Sequence, residues 1–273
     1  MPIQKKSKSP MARHSDRYDL YLRSVQAPEH EVPFFDRVYK REFRRSPKVL
    51  REDFCGTFAI CCEWVKTGRD RIAIAVDLDS DPLTWGTRHN LAKLAPHQQK
   101  RVELLQDDVR HVNGRKADVL AAQNFSFWIF KTRDELLNYF RNARRNMAER
   151  GVFVLDMMGG PESMEEDRED VTKHRGFDYV WEQNRFNPIT HDCRFYIHFR
   201  FKDGSELRRA FVYEWRFWTL PEVRELLLEA GFGQVDVYWE GTDPKTGEGN
   251  DVFRVRNRAP CEPAWIAYVV AIK

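Results

Sequence analysis

No stretch of this 273-residue chain approaches the roughly 20 consecutive apolar residues that a membrane-spanning helix needs. The first 17 residues, MPIQKKSKSPMARHSDR, are basic and polar, and they lack the apolar segment of a secretory leader. The expectation is a cytoplasmic protein with no membrane partner. A dominant charge is missing too: 45 Lys and Arg against 42 Asp and Glu leave a formal net charge of +3. That balance argues against a dedicated nucleic-acid binder. Residues 1–17 read as a disordered basic tail, with phosphate contact as the alternative. Cysteines are few and irregular: Cys55, Cys61, Cys62, Cys193 and Cys261 are odd in number and fit no zinc spacing. Reduced thiols are expected, and no metal site. Glycine is scarce where one ligand class requires it. A dinucleotide pyrophosphate wants G-x-G-x-x-G at the turn after the first strand. Here that turn holds only Gly56, between Phe54 and Phe58, which argues against NAD and FAD.

What is present is an alternation of strand and helix signals. Tyr18–Phe43 is amphipathic and broken near Pro28 and Pro33, so it reads as short helices. Strands follow at Val49–Asp53, Ile72–Leu78, Val102–Gln106, Ala117–Ala122 and Gly151–Met157, with helices at Ala59–Lys66, Asp81–Leu94 and Arg133–Arg145. Ile72–Leu78 is apolar without alternation, as in a strand covered on both faces. Such an order implies a mainly parallel sheet with right-handed crossovers. After Gly159 the pattern changes to an acidic stretch, then strands at Tyr179–Arg185, Cys193–Phe201 and Glu206–Phe217. A helix at Pro221–Ala230 and strands at Val235–Trp239 and Trp265–Ile272 close the chain. The expected fold is therefore α/β and Rossmann-like: a mainly parallel seven-stranded sheet, helices on both faces, and a β-rich insertion after the fifth strand. The expected divisions are a tail at 1–17, a core with an N-terminal helical cap at 18–158, the insertion at 159–217, and completion of the core sheet at 218–273. The insertion is long for a plain connection, so it is expected to cover an acceptor site.

Open parallel sheets bind ligands beyond the carboxyl ends of their strands. Those ends carry Glu52-Asp53-Phe54-Cys55-Gly56-Thr57, Asp77-Leu78-Asp79, Gln106-Asp107-Asp108-Val109 and Gln123-Asn124. Ordered acidic groups of this kind suit a nucleoside. This set, with Thr219–Val235 (TLPEVRELLLEAGFGQV) as a late helix and strand entry, resembles the class I S-adenosylmethionine-dependent methyltransferases. Their first motif runs acidic-x-Gly-x-Gly-x-Gly; here it stands as E-D-F-C-G-T-F, with only the middle glycine kept. The resemblance implies S-adenosyl-L-methionine as cofactor. It places Glu52 near the cofactor's amino group, with Asp53 as competitor, and Gly56 and Thr57 at a close-approach turn. Asp77 would hold the ribose while Leu78 packs on adenine. Asp108 and Val109 would read the adenine edge, with Asp107 as the register alternative. Gln123 and Asn124 would flank the methionine part, and Tyr21 and Gln26 would cover the cofactor.

Methyl transfer from a sulfonium needs alignment, exclusion of water and, for some acceptors, a proton acceptor. Candidates for contact with the acceptor are Asn124, Ser126, His198, Arg200, Tyr213 and Trp215, with His198, Tyr213 and Asn124 as the catalytic choices. Period-two alternation puts Tyr196, His198 and Arg200 on one strand face; a solvated face is the plainer reading. Asn124-Phe125-Ser126-Phe127 lacks the prolines of the N-P-P-Y motif of nucleic-acid amino methylases, so that function is not carried over. The expected activity is methyl transfer to an N or O atom of a small molecule. An RNA or protein methyltransferase and a non-catalytic cofactor-binding protein remain the alternatives.

Overall fold

The computed structural model describes residues 9–246 and 249–273. Its elements run as helices α1 (Arg17–Ser24) and α2 (Pro28–Phe43), strand β1 (Val49–Asp53), α3 (Ala59–Lys66), β2 (Ile72–Asp77), α4 (Ser80–His89), α5 (Pro96–Gln99), β3 (Val102–Gln106), β4 (Ala117–Ala122), α6 (Arg133–Arg145) and β5 (Met147–Gly159). Then come β6 (Arg168–His174), β7 (Phe177–Phe186), β8 (Asp192–Phe201), β9 (Glu206–Arg216), α7 (Leu220–Glu229), β10 (Gln234–Thr242), β11 (Gly249–Val255) and β12 (Trp265–Ile272). No helix among the described residues is long and apolar enough to cross a membrane.

The chain divides into two compact units. The larger spans Ala27–Ser163 and Arg216–Lys273. Its sheet has eight strands in the order β11-β10-β12-β5-β4-β1-β2-β3. Strands β1 to β5 run parallel, and β12 lies antiparallel between β5 and β10. The sequence reading expected seven strands. The eighth is β11, a polar edge strand antiparallel to β10, whose Gly249-Asn250-Asp251 start carries turn chemistry rather than a strand pattern. The chain moves outward from β1 to β3 and then returns to β4 beside β1, so the switch point lies between the ends of β1 and β4.

Strand register sorts the side chains. Leu50 and Glu52, Ala73 and Ala75, Val119 and Ala121, and Val152 and Val154 share one face. Val32, Phe35, Val38 and Tyr39 of α2 and Ile60, Cys61, Trp64 and Val65 of α3 are buried in the same cluster as these apolar strand residues. On the opposite face Tyr139 and Phe140 of α6 pack edge-on against Phe153. Pro28 stands in the first turn of α2, where its missing N–H costs nothing. Pro33 lies inside α2 without ending it. Asp79, not Asp77, caps α4, accepting from the Asp81 N–H.

The smaller unit combines the chain before Ala27 with Met164–Trp215. Its sheet has the order β6-β7-β8-β9, antiparallel through β6, β7 and β8. Leu20 of α1 is buried against Phe177, Ile197, Phe199 and Phe201. Residues 18–26, expected in the core as a helical cap, belong to the smaller unit, where α1 buries its apolar face on the insertion sheet. The stretch 1–17 is expected from sequence to be a disordered tail. Residues 1–8 lie outside the described residues, whereas 9–17 are ordered. Asp16 caps α1 through the N–H groups of Tyr18 and Asp19. The N–H groups of Met11 and Ala12 donate to Asp203 (2.7 Å) and Ser205 (3.1 Å) of the β8–β9 turn. The acidic stretch before Lys173 also contains β6, hidden because it is an exposed edge rich in charge.

Candidate active site

The turn after β1 takes a glycine-like backbone with few glycines. Phe54, Gly56 and Phe58 have φ of 57°, 52° and 48°, all in the left-handed region. For a non-glycine residue this costs roughly 1–2 kcal/mol, so the two phenylalanines need compensation. Phe58 is fully buried, and its N–H donates to Cys55 O at 2.7 Å. The Phe54 ring packs against Phe130 and Tyr139. At Gly56 a Cβ would meet nothing within 4 Å, so the turn opens outward there. At Gly86 of α4 a Cβ would lie 2.4 Å from Thr57 O; its absence lets α4 press on the back of the turn. Asn90 Nδ2 then donates to Thr57 O at 2.9 Å.

Two adjacent acids at the end of β1 have separate fates, because neighbouring strand residues face opposite ways. Asp53 points to the α6 side. It is fully buried, 2.6 Å from Arg51 Nε, and accepts from Tyr139 OH at 3.1 Å. It holds the core together and drops out as a ligand residue. Glu52 points to the α2–α3 side. One of its oxygens accepts from the Cys61 N–H at 3.3 Å, and burial pushes its pKa up to about 8. Asp77 lies on the same face at the end of β2. Its oxygens accept from Gly56 N–H at 2.7 Å and Asp79 N–H at 2.9 Å. It therefore clamps the open turn, while burial raises its pKa. Leu78 beside it is 68% exposed, an apolar side chain left standing at a strand end.

The end of β3 departs from the expectation. The Asp108 carboxylate is gripped by Arg110, with Nε at 3.0 Å and Nη2 at 2.6 Å, and that guanidinium holds its pKa down. Val109 is buried, and its carbonyl accepts from Asn142 Nδ2 at 2.8 Å. Both serve the loop itself. Asp107, the register alternative, is exposed, and among the described residues its Oδ1 accepts from the next N–H, that of Asp108.

At the end of β4, Gln123 donates to Val154 O at 3.1 Å, while its buried Oε1 has no hydrogen-bond partner among the described residues. Thr57 Oγ1 is another such orphan. Asn124 and Phe125 are both left-handed, with φ of 58° and 55°. Their N–H groups donate to Asp156 at 2.9 and 3.0 Å. Asp156 interrupts the apolar run of β5, and burial lifts its pKa to about 6. The strand ends from β1 to β4 that mark the site in the sequence do not include it. Ser126 turns inward, its Oγ donating to Gln123 O at 2.7 Å.

Several candidates in the smaller unit already have partners within it. His198 is buried, with Nε2 2.8 Å from Glu182 and Nδ1 accepting the Arg209 N–H at 3.1 Å. With both ring nitrogens engaged, it has no lone pair for a substrate proton. Arg200 pairs with Glu169 and Glu206 at 2.7 and 3.2 Å. Tyr213 lies tilted against Trp181 and Trp215, and its hydroxyl bonds Tyr21. Tyr21 also lies against Phe211, ring centroids 4.8 Å apart. Gln26 closes this unit's first segment, with a buried Oε1 that no described residue satisfies.

The larger unit thus gathers Glu52, Gly56, Thr57, Asp77, Leu78, Gln123 and Asn124 around the β1–β4 switch point and adds Asp156. No family model matches the sequence, and no curated protein matches it at significant similarity. Solved structures do match. A methyltransferase from Clostridium acetobutylicum that depends on S-adenosylmethionine aligns with a TM-score of 0.66 and 17% identity over 93% of this chain and 95% of that one. The chain has the fold of S-adenosylmethionine-dependent methyltransferases. The amino pentose methyltransferase CalS10 of Micromonospora echinaspora, solved with that cofactor bound, aligns at 0.65 and 18% over 94% and 97%. The sugar N-methyltransferase KedS8 of a Streptoalloteichus species aligns at 0.64 and 19% over 100% and 98%. This methyltransferase fold is met along nearly the whole length of each chain.

Proposed function

We propose that the protein transfers a methyl group from S-adenosyl-L-methionine to a nitrogen or oxygen atom of a small molecule, with an amine nitrogen as the favoured acceptor. The observation that carries this reading is the open turn at Gly56, clamped by Asp77 and flanked by Glu52, at the switch point of a methyltransferase fold. The residues fit the cofactor. Asp77 keeps acceptor capacity for ribose hydroxyls, Leu78 offers an apolar surface for adenine, and the Gln123 Oε1 orphan awaits a donor. Bound there, the cofactor supplies an electrophilic methyl on a sulfonium. The protein's share is to hold and align it: Gly56 permits close approach, and Asp156 fixes the Asn124–Phe125 turn beside it. The amino pentose and sugar N-methyltransferase neighbours support nitrogen. An unprotonated amine also needs no base before attack, and His198 has none to offer. Labelled S-adenosylmethionine incubated with panels of amino sugars, other amines and phenols tests this. Label is expected in amines, and label confined to RNA or protein would replace the reading.

Asp107 rather than Asp108 is assigned to the adenine edge. Asp107→Ala should weaken S-adenosylhomocysteine binding by about 1–2 kcal/mol, the scale of a hydrogen bond to a charged group. Asp108→Ala should shift it by less than about 0.5 kcal/mol, because Arg110 already occupies that carboxylate. Calorimetry on the two variants decides, and the reverse order would restore the original register.

A further inference from the structure

Glu31 stands where a charged side chain contributes nothing to packing. It belongs to the stripe Glu31, Phe35, Val38 that α2 lays on the sheet. It is 7% exposed, and its Oε2 hydrogen-bonds none of the described residues. Buried polar atoms are almost always hydrogen-bonded, so an orphan asks for a missing partner. Its charged neighbours are all acidic: Glu52 at the end of β1, Asp156 at the end of β5, and Glu29 on its own helix. Tyr268 of β12 faces the same group, and α3 adds the Cys61 and Cys62 thiols beside Glu52. A second orphan, Gln123 Oε1, lies at the adjoining strand end. Gln123 Oε1 is an acceptor, and so is Glu31 once ionised, in the negative field of Glu52 and Asp156. A sulfonium would answer the field but has no N–H. Water has donors but no charge. A primary ammonium has both.

We propose that Glu31 of α2, outside the strand-end residues the methyltransferase resemblance already assigns, is the principal counter-charge of a primary ammonium group held beside Glu52 and Gln123 Oε1. This deepens the methyltransferase reading and rests on it. Two sources carry such a group: the amino-acid half of the cofactor and an amine acceptor. Burial first, then repulsion from Glu52 and Asp156, pushes the Glu31 pKa well above the usual carboxylate range. Glu31 therefore keeps its proton in the absence of a cation. When an ammonium enters, the Glu31 O–H bond ionises, its proton passes to solvent or buffer, and the carboxylate stays as the ammonium's partner; no other covalent bond changes. Binding releases protons and tightens as pH rises.

Calorimetry in two buffers of different ionisation enthalpy, on wild type and Glu31→Gln, tests this. The probes are S-adenosylhomocysteine, 5′-methylthioadenosine (the same nucleoside without the amino-acid half) and methylammonium chloride added to the homocysteine complex. If the ammonium is the cofactor's, Glu31→Gln weakens S-adenosylhomocysteine about tenfold or more at pH 8, and less at pH 5.5. It also releases fewer protons and leaves 5′-methylthioadenosine unchanged. If the ammonium is the acceptor's, S-adenosylhomocysteine is unaffected and methylammonium loses a similar factor. The ligand-free variant should melt no lower than wild type at pH 8. A carboxyl with a raised folded pKa destabilises increasingly as pH climbs above its unfolded value, and Gln removes that cost. Equal weakening of S-adenosylhomocysteine and 5′-methylthioadenosine, or no change with any probe in a folded variant, overturns the pocket. If wild type binds neither nucleoside, the methyltransferase reading fails instead. Methylammonium titrated into the ligand-free proteins then judges Glu31 by itself: weaker binding to the variant supports the pocket, and equal or absent binding overturns it.

Discussion

Asp53→Ala is expected to cost about 3–5 kcal/mol of folding stability, the range for breaking a buried ion pair from one side. Arg51 is 1% exposed and Asp53 fully buried, so the variant would leave a guanidinium without its counter-charge inside the core. The Tyr139 hydroxyl would lose its acceptor as well. Burial outweighs Arg51 in setting the Asp53 titration, raising its pKa despite the contact. The pair is therefore weak as a source of stability yet costly to break. A double variant, Arg51→Met with Asp53→Leu, should recover most of the loss, because two apolar side chains leave no charge unpaired. Glu52→Gln, one residue earlier, should keep the fold. Urea denaturation of the four proteins checks this. A loss under about 1 kcal/mol for Asp53→Ala would show that the two acids had been assigned to the wrong faces.

Asp77→Ala carries the largest expected effect on ligand binding. The carboxylate accepts the Gly56 and Asp79 N–H groups, and each oxygen keeps a lone pair for a ribose hydroxyl. Removing it should weaken S-adenosylhomocysteine by about 1–3 kcal/mol, roughly fivefold to 160-fold at 1.36 kcal/mol per decade. Loosening of the Gly56 turn adds to the loss. Asp77→Asn is not a mild control. Its amide presents N–H to one of two backbone N–H groups, and two donors facing each other lose the bond. Unchanged affinity in folded Asp77→Ala protein would reduce this carboxylate to a turn clamp.

Much of this arrangement is legible before folding. The apolar run Ile72–Asp77 declares a buried strand, and the acids that follow β1, β2 and β3 stand where open sheets bind ligands. What escapes has physical causes. Phe54 and Phe58 hide a left-handed turn, because glycine is the usual sign of one and here tertiary packing imposes the conformation instead. Choosing between Glu52 and Asp53 needs the strand phase, which a five-residue strand does not fix. Weighing Asp107 against Asp108 needs the Arg110 contact, which depends on the fold of the loop. His198 matched a pocket face by alternation, yet Glu182 and the Arg209 N–H, remote in sequence, occupy both nitrogens. Strands β6 and β11 are polar edges with no apolar period. Asp156 and Glu31 did leave signals: an acid set inside an apolar run, and an acid within the apolar stripe of a helix.

The central claim is that the cleft at the β1–β4 switch point is built for an adenosyl amino acid and not for a dinucleotide. Calorimetric titration of the wild-type protein with S-adenosylhomocysteine and, separately, with NAD tests it most directly. Saturable binding of S-adenosylhomocysteine, at least about a hundredfold tighter than NAD (near 2.7 kcal/mol at 1.36 per decade), is the predicted result. NAD binding as tight or tighter would contradict it.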